Sequence, residues 1–290
     1  MIYAASPINR HRATKTEMEE RAAFLIDYAE AHGPITVRGL YYQAEVHHVP
    51  GIGKDDSGYD KVQRQVLILR RAGRMSYHDI ADATRWMRKP DSYDSIDAAL
   101  KETARLYRKA LWTSTADYAE AWCEKDALAG VIYPVTSEYD VPLMVARGFS
   151  SETFCFEAIE QRGDDKRDFH VYTLFDFDRA GQDSARSLEE KLKRFAAAKG
   201  IKVYFHNLAV TAVQVRQWNL PTRKPKRKSH ADKKWPHKFC CELDAIPPDQ
   251  LRDLVRTAIE QHLPRRQLEV LKVAEEDERE QWLRIFGEAE

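Results

Sequence analysis

The stretch from Phe169 to Phe205 constrains the fold more than any other part of the chain. Phe169 to Phe175 has the length and apolar content of one buried strand, and Asp176-Phe177-Asp178 follows it directly. Apolar residues at helical spacing then predict a long amphipathic helix from about Gln182 to Lys199, and Ile201 to Phe205 reads as another strand. Upstream, Tyr118 to Cys123 is a short strand ending in Glu124, Leu143 to Ala146 is a second, and Glu152 to Gln161 is helical. Strands alternating with helices imply a mostly parallel sheet, so this part of the chain is expected to be α/β.

Open parallel sheets bind ligands beyond the carboxyl ends of their strands, which is where this reading puts Glu124, Asp176 and Asp178. Asp176 and Asp178, two residues apart in an extended turn, point the same way. With Glu124 they form an oxygen-only set suited to a hard cation, and magnesium (Mg2+) is the cofactor expected there. Acidic residues at strand ends also serve as helix caps or turn formers, so the pattern alone leaves both roles open.

The region before residue 116 reads differently. A helix begins near Thr16, carries Phe24, Leu25, Tyr28 and Ala29 at helical spacing, and stops near Gly33-Pro34. Thr36 is placed to cap a second helix, Val37 to Val46, and a third runs from about Tyr59 to Arg71. Arg74 to Ile80 offers a short strand pair, which would make the unit a winged helix. The third helix turns Val62, Val66 and Leu69 inward and carries Lys61, Arg64, Gln65, Arg70 and Arg71, side chains suited to phosphates and groove edges. The same residues also suit a solvated helix face. In the second helix, adjacent Tyr41 and Tyr42 differ in direction by about 100°, so one is expected in the core and the other outside, with Arg38 a turn before Tyr42. An exposed tyrosine beside an arginine can attack a phosphodiester, and paired helical aromatics can equally be core.

At 290 residues the chain exceeds a typical domain, and the expected division is 1–115 for the helical part and 116–290 for the sheet domain. Lysine plus arginine and aspartate plus glutamate each number 46, so net charge gives no argument for a polyanionic partner, and local patches must carry one. The clearest patch is Arg223-Lys224-Pro225-Lys226-Arg227-Lys228, continued by Lys233, Lys234 and Lys238; DNA phosphate is its natural company, and a solvated loop is the alternative. Asp244 of Glu242-Leu243-Asp244-Ala245 is expected to cap a helix from Pro248 to Gln261, with second-sphere roles for both acids as the alternative. A last helix, about Arg265 to Phe286, is expected to bury Leu268, Leu271, Trp282 and Phe286 and to show an acidic face at Glu275 to Glu280. Cys123, Cys155, Cys240 and Cys241 lack metal-site or disulfide spacing and read as small hydrophobes. No apolar run suits a membrane span or a signal peptide, so a cytoplasmic, DNA-associated protein is expected, and Gly51-Ile52-Gly53-Lys54 lacks the spacer and hydroxyl of a nucleotide loop.

Ala121-Trp122-Cys123-Glu124-Lys125-Asp126, then Arg147-Gly148-Phe149-Ser150, then Asp176-Phe177-Asp178-Arg179-Ala180-Gly181 together resemble the Toprim domain of topoisomerases, primases and some nucleases. More narrowly, the chain resembles the topoisomerase VI A subunit and the related meiotic double-strand-break transesterase, in a compact bacterial form. Arg38 to Tyr42 is similar to their Arg-acidic-x-Tyr/Phe-Tyr signature, with Gly39 at the usually acidic position. That resemblance implies a winged-helix domain followed by a Toprim-type sheet, with Tyr42 as nucleophile, Arg38 as its phosphate partner, and magnesium on Glu124, Asp176 and Asp178. It also implies a homodimer cutting double-stranded DNA and a separate ATPase subunit for strand passage. Two other expectations stand beside it: a hydrolytic Toprim nuclease of a defence system or mobile element with structural tyrosines, and a non-catalytic DNA-binding accessory protein.

Overall fold

The computed structural model describes residues 13–81, 91–225 and 230–287. The chain divides into two compact units between Ile80 and Ala81. The helix Ile96–Leu106 therefore groups with the sheet-containing unit, whereas the sequence reading set the division at residue 115.

The N-terminal unit holds α1 (Lys15–His32), α2 (Val37–Val46) and α3 (Asp56–Arg71). Each starts on a side-chain cap: Thr14 forms a reciprocal pair with Glu17, Thr36 Oγ1 accepts from the Gly39 amide, and Asp55 accepts from the Gly58 amide. The α2 helix is the central one, with Gly39, Leu40, Tyr41, Tyr42, Gln43 and Ala44 all buried. The strand pair expected over Arg74 to Ile80 is not formed; the described residues have one parallel bridge, Ile35 to Ile80. Ser76 and Asp79 explain this. The Ser76 amide donates to Asp79 Oδ2 and the His78 amide to Ser76 Oγ, and these local bonds take donors a ladder would need.

The C-terminal unit is mixed α/β around a four-stranded, all-parallel sheet in the order β2-β1-β3-β4. Its elements are α4 (Ile96–Leu106), β1 (Asp117–Cys123), α5 (Asp126–Glu138), β2 (Leu143–Val145), α6 (Glu152–Glu160), β3 (Asp168–Leu174), α7 (Arg179–Ala198) and β4 (Val203–Ala209). After them come α8 (Ala212–Gln217), α9 (His230–Lys233), a 3-10 turn (Leu243–Ala245), α10 (Pro248–Glu260) and α11 (Arg265–Gly287). Along β1, alternate residues go to opposite faces. Trp122 joins Phe169, Val171, Phe175, Leu188 and Leu192 in the core under α6 and α7, and burying each such side chain is worth about 1.5–3 kcal/mol. Glu120 lies on the same face, 3% exposed, where it accepts from Trp122 Nε1 at 2.8 Å and Tyr118 Oη at 3.0 Å.

The connections make the site possible. From β1 the chain crosses to β2 on one side, and from β3 it crosses to β4 on the other, so strand order reverses between the neighbouring β1 and β3. A crevice at such a reversal opens beyond the strands' carboxyl ends. The helix α11 packs on α4, and its acids hold the segment that follows α4: Tyr107 Oη and Lys109 Nζ reach Glu278, and the Lys109 amide donates to Glu275 at 2.8 Å. Trp282, expected in the core, is 44% exposed, because that packing uses the acidic side of the helix. The side chain of Phe286 lies outside the described residues.

Candidate functional site

Glu124 and Lys125 leave the end of β1, and Asp176, Phe177 and Asp178 leave the adjacent end of β3. The Glu124 amide donates to the Leu174 carbonyl at 3.0 Å, and Glu124 Oε2 accepts from the Asp176 amide at 2.8 Å, so the two strand exits are tied together. Phe177 then pairs with Cys241 through two backbone hydrogen bonds of 2.8 and 3.0 Å, which draws Glu242, Leu243 and Asp244 to the same edge. Asp176 Oδ1 accepts from the Leu243 amide at 2.8 Å. Asp178 caps α7, accepting from the Gly181 amide at 2.8 Å. Gly181 is fixed by contact: a Cβ there would lie 2.3 Å from the Asp176 carbonyl oxygen.

Lys125 is the residue of this site that sequence reasoning left without a role. Its ammonium lies 3.0 Å from Asp176, 2.9 Å from Asp244 and 3.4 Å from Glu242. Burial works against its charge, but Asp244, Asp176 and Glu242 outweigh that and raise its pKa, so the lysine stays an ammonium. Asp176 is pushed up to about 7, because burial disfavours its charge and Glu124 repels it; one lysine shared among three carboxylates only partly offsets this. The two shifts pull in opposite senses: the lysine is firmly charged, and Asp176 is the undercompensated carboxylate. Burial also raises Glu124, with repulsion from Asp178 and Glu242 adding to it. Burial pushes the thiols of Cys123 and Cys241 up to about 12, which removes them as nucleophiles near neutral pH.

Asp244 does not cap the helix that follows it. The residue at the start of α10 is Pro247, with no side-chain cap, and Asp244 is 3% exposed against Lys125. The charge demand of a buried lysine has taken the carboxylate that local sequence assigned to the helix end.

A cavity of about 360 Å³ opens beside the carboxylates. Asp178 and Glu242 line one part, and Arg179, Arg223 and Lys224 line another, over Trp235. Arg223 pairs through its backbone with Cys240 and through its guanidinium with Glu242 at 2.9 Å, so the basic segment enters the site as an antiparallel bridge. Lys226, Arg227 and Lys228 lie outside the described residues.

In the N-terminal unit, Tyr41 and Tyr42 are each 2% exposed, so neither projects outward. Tyr41 Oη donates toward the Gly53 and Asp55 carbonyls, and its ring meets Tyr59 edge-on. Arg38 lies over the Tyr59 ring, 4.6 Å from its centroid. On α3, Lys61 Nζ donates to the Gly51 carbonyl at 2.8 Å, Arg70 covers the Tyr77 ring, and Arg64 and Arg71 are exposed. Gln65 is not a groove reader in this fold. It is buried, receiving Arg21 and donating to the Met18 carbonyl, because the buried guanidinium of Arg21 needs acceptors.

Among the described residues, the histidine, cysteine and acidic side chains whose ligand atoms all lie within 4.8 Å of one another are Asp117, His170 and His262, a half-buried group that can hold a metal ion. Glu124, Asp176 and Asp178 do not form such a set. Asp117 opens β1, His170 lies in β3 and His262 follows α10, a separation in sequence that hides the group from any spacing rule. Burial and the facing His262 lower the pKa of His170, and burial lowers that of His206. No family model and no curated protein matches the chain.

Proposed function

We infer that this chain is a magnesium-dependent enzyme that breaks the phosphodiester backbone of double-stranded DNA at Glu124, Asp176 and Asp178. The observation that carries the reading is the charge imbalance at the β1–β3 reversal. Fully ionised, Glu124, Asp176, Asp178, Glu242 and Asp244 outnumber Lys125 and Arg223 by three charges, beside a cavity rimmed by Arg179, Arg223 and Lys224. An acidic cluster next to cations matches a metal-bridged phosphate better than it matches either partner alone.

The donor chemistry suits magnesium, although the ligand atoms of Glu124, Asp176 and Asp178 would have to move closer together to share one ion. Every donor is oxygen, and hydrogen bonds engage one oxygen of each named carboxylate: Glu124 Oε2, Asp176 Oδ1 and Asp178 Oδ1. Magnesium held there would supply neutralisation of the phosphate and of the departing 3′ oxygen. The chain's own groups do the rest. Lys224 and Arg223 hold the phosphate from the cavity side, Trp235 closes the apolar wall, and Lys125 keeps Asp176, Glu242 and Asp244 in place. Arg64, Arg71 and Lys61 supply backbone contacts of a sequence-independent kind.

The attacking group is water in the reading that the burial of Tyr41 and Tyr42 supports. The signature at Arg38 to Tyr42 supports the second reading, transesterification by Tyr42 within a homodimer of the topoisomerase VI A type, in which α2 must first present the phenol. Supercoiled plasmid, the purified chain and magnesium decide the matter when products are run with and without protease. Wild type should nick or linearise DNA, and Asp176→Asn should not. Cleavage that persists in Tyr42→Phe with free DNA ends supports water; protein-linked ends lost in Tyr42→Phe support the tyrosine. No magnesium-dependent cleavage by wild type leaves the binding module alone.

A further inference from the structure

At the amino ends of the strands, roughly 20 Å along β1 from Glu124, a second group of chemically able side chains has no part in the scheme above. Asp117 faces two imidazoles: His262 Nδ1 is 2.7 Å from its Oδ2, and His170 Nε2 is 3.5 Å from its Oδ1. The two rings are 4.2 Å apart. Both have their remote nitrogens anchored. His262 Nε2 meets Tyr172 Oη at 2.7 Å, and His170 Nδ1 meets His206 Nε2 at 3.0 Å.

His262 Nδ1 and Asp117 Oδ2 share a hydrogen bond here, and an ion that replaces its proton creates the arrangement a metal-binding histidine requires. One nitrogen is held by an outer hydrogen bond that fixes ring and tautomer, and the other presents its lone pair to the ion. Donors around a tetrahedral zinc lie roughly 3.3 Å apart, so the 3.5 Å pair already fits and the 2.7 Å pair has to widen by less than 1 Å. Imidazole nitrogens reject magnesium and calcium and suit zinc and its first-row neighbours.

We propose that Asp117, His170 and His262 form a second, transition-metal site of the zinc class, with Tyr172 and His206 as the outer groups that orient the two imidazoles. Three protein donors leave the fourth position to solvent, reached past the part-exposed Asp117 carboxylate. The ion fastens the segment after α10 to the first residue of β1 and to β3. It is chemically distinct from the all-oxygen site at the other strand ends, so the two sites select different metals and neither depends on the other.

The test uses the untagged full chain, stripped with chelator and titrated calorimetrically with zinc chloride and, separately, magnesium chloride. The expected result is one zinc per chain at micromolar or tighter affinity, zinc-dependent elevation of the unfolding temperature, and unchanged zinc uptake in Asp176→Asn. Zinc affinity should fall at least tenfold in His262→Gln and in His170→Asn, and by a smaller factor in Tyr172→Phe. Zinc uptake that is absent from wild type, or equal in wild type and the histidine variants, overturns the proposal. Should those variants fail to fold, cobalt replaces zinc in wild type. Two paramagnetically shifted imidazole N–H proton signals are expected in the spectrum, and none overturns the site.

Discussion

Replacing Glu120 by glutamine isolates the cost of one buried charge. Glu120 is enclosed in the core face of β1, bonded by Trp122 Nε1 and Tyr118 Oη, and burial raises its pKa from 4.5 to about 7. Between those values the native carboxyl keeps a proton that the unfolded chain has released. Wild-type stability from this group is therefore full below pH 4.5 and declines as pH rises towards 7. At about 1.36 kcal/mol per pH unit, the decline is about 3 kcal/mol. Glutamine can accept from Trp122 and donate to the Tyr118 oxygen without titrating. Urea unfolding of both proteins from about pH 5 to about pH 8, where other titrations cancel in the difference, should give a variant advantage that grows with pH and levels off near 3 kcal/mol. A difference that stays constant across that range refutes the reasoning, because it means Glu120 is not held protonated by burial.

Other substitutions separate the roles joined at the carboxyl ends of the strands. Asp178→Asn keeps a good helix cap and removes a charge, so thermal unfolding should shift by no more than the equivalent of about 0.5 kcal/mol while magnesium-dependent plasmid cleavage falls by a hundredfold or more. Gly181→Ala drives a methyl into the Asp176 carbonyl, and both unfolding temperature and cleavage should drop, with a stability loss of about 1–3 kcal/mol. Lys125→Met leaves Asp176, Glu242 and Asp244 without their shared cation, which should cost about 3–5 kcal/mol in urea unfolding near pH 8 and less at lower pH, where Asp176 is protonated. Gln65→Leu should destabilise the N-terminal unit by about 1–3 kcal/mol, by taking the acceptor from Arg21 Nη1 and the donor from the Met18 carbonyl, and leave the salt dependence of DNA binding unchanged, whereas Arg64→Ala should reduce that dependence.

The sheet was legible because its strands are short apolar runs punctuated by charge, and β1, β2 and β3 begin and end within two residues of their expected limits. The helix α2 was legible through its cap Thr36, whereas α1 was legible through its apolar spacing and α3 starts at Asp56, three residues before its expected start. By contrast α5, apolar around much of its circumference and interrupted by Pro134, has little periodicity to read. The exits of β1 and β3 could be named from sequence because each acid directly follows its strand. Lys125 could not be assigned, since its meaning depends on Glu242 and Asp244 returning to it through the Phe177–Cys241 pair. One outward tyrosine was expected from helical geometry, and the resemblance made it Tyr42, but α2 is buried on most sides. Asp117, His170 and His262 come from β1, β3 and the segment after α10, and meet only once these are assembled.

The position of Lys125 has a consequence for how the unit meets metal. A cluster of carboxylates normally waits for an ion before it can close, and apo proteins of that kind are loose. Here the chain carries its own tethered counter-ion, so the loop from Cys240 to Asp244 is held down before any divalent cation arrives. The loop's shape therefore rests on Lys125 and on backbone pairing. If the proposed function holds, magnesium supply would gate cleavage while the fold stayed indifferent to it.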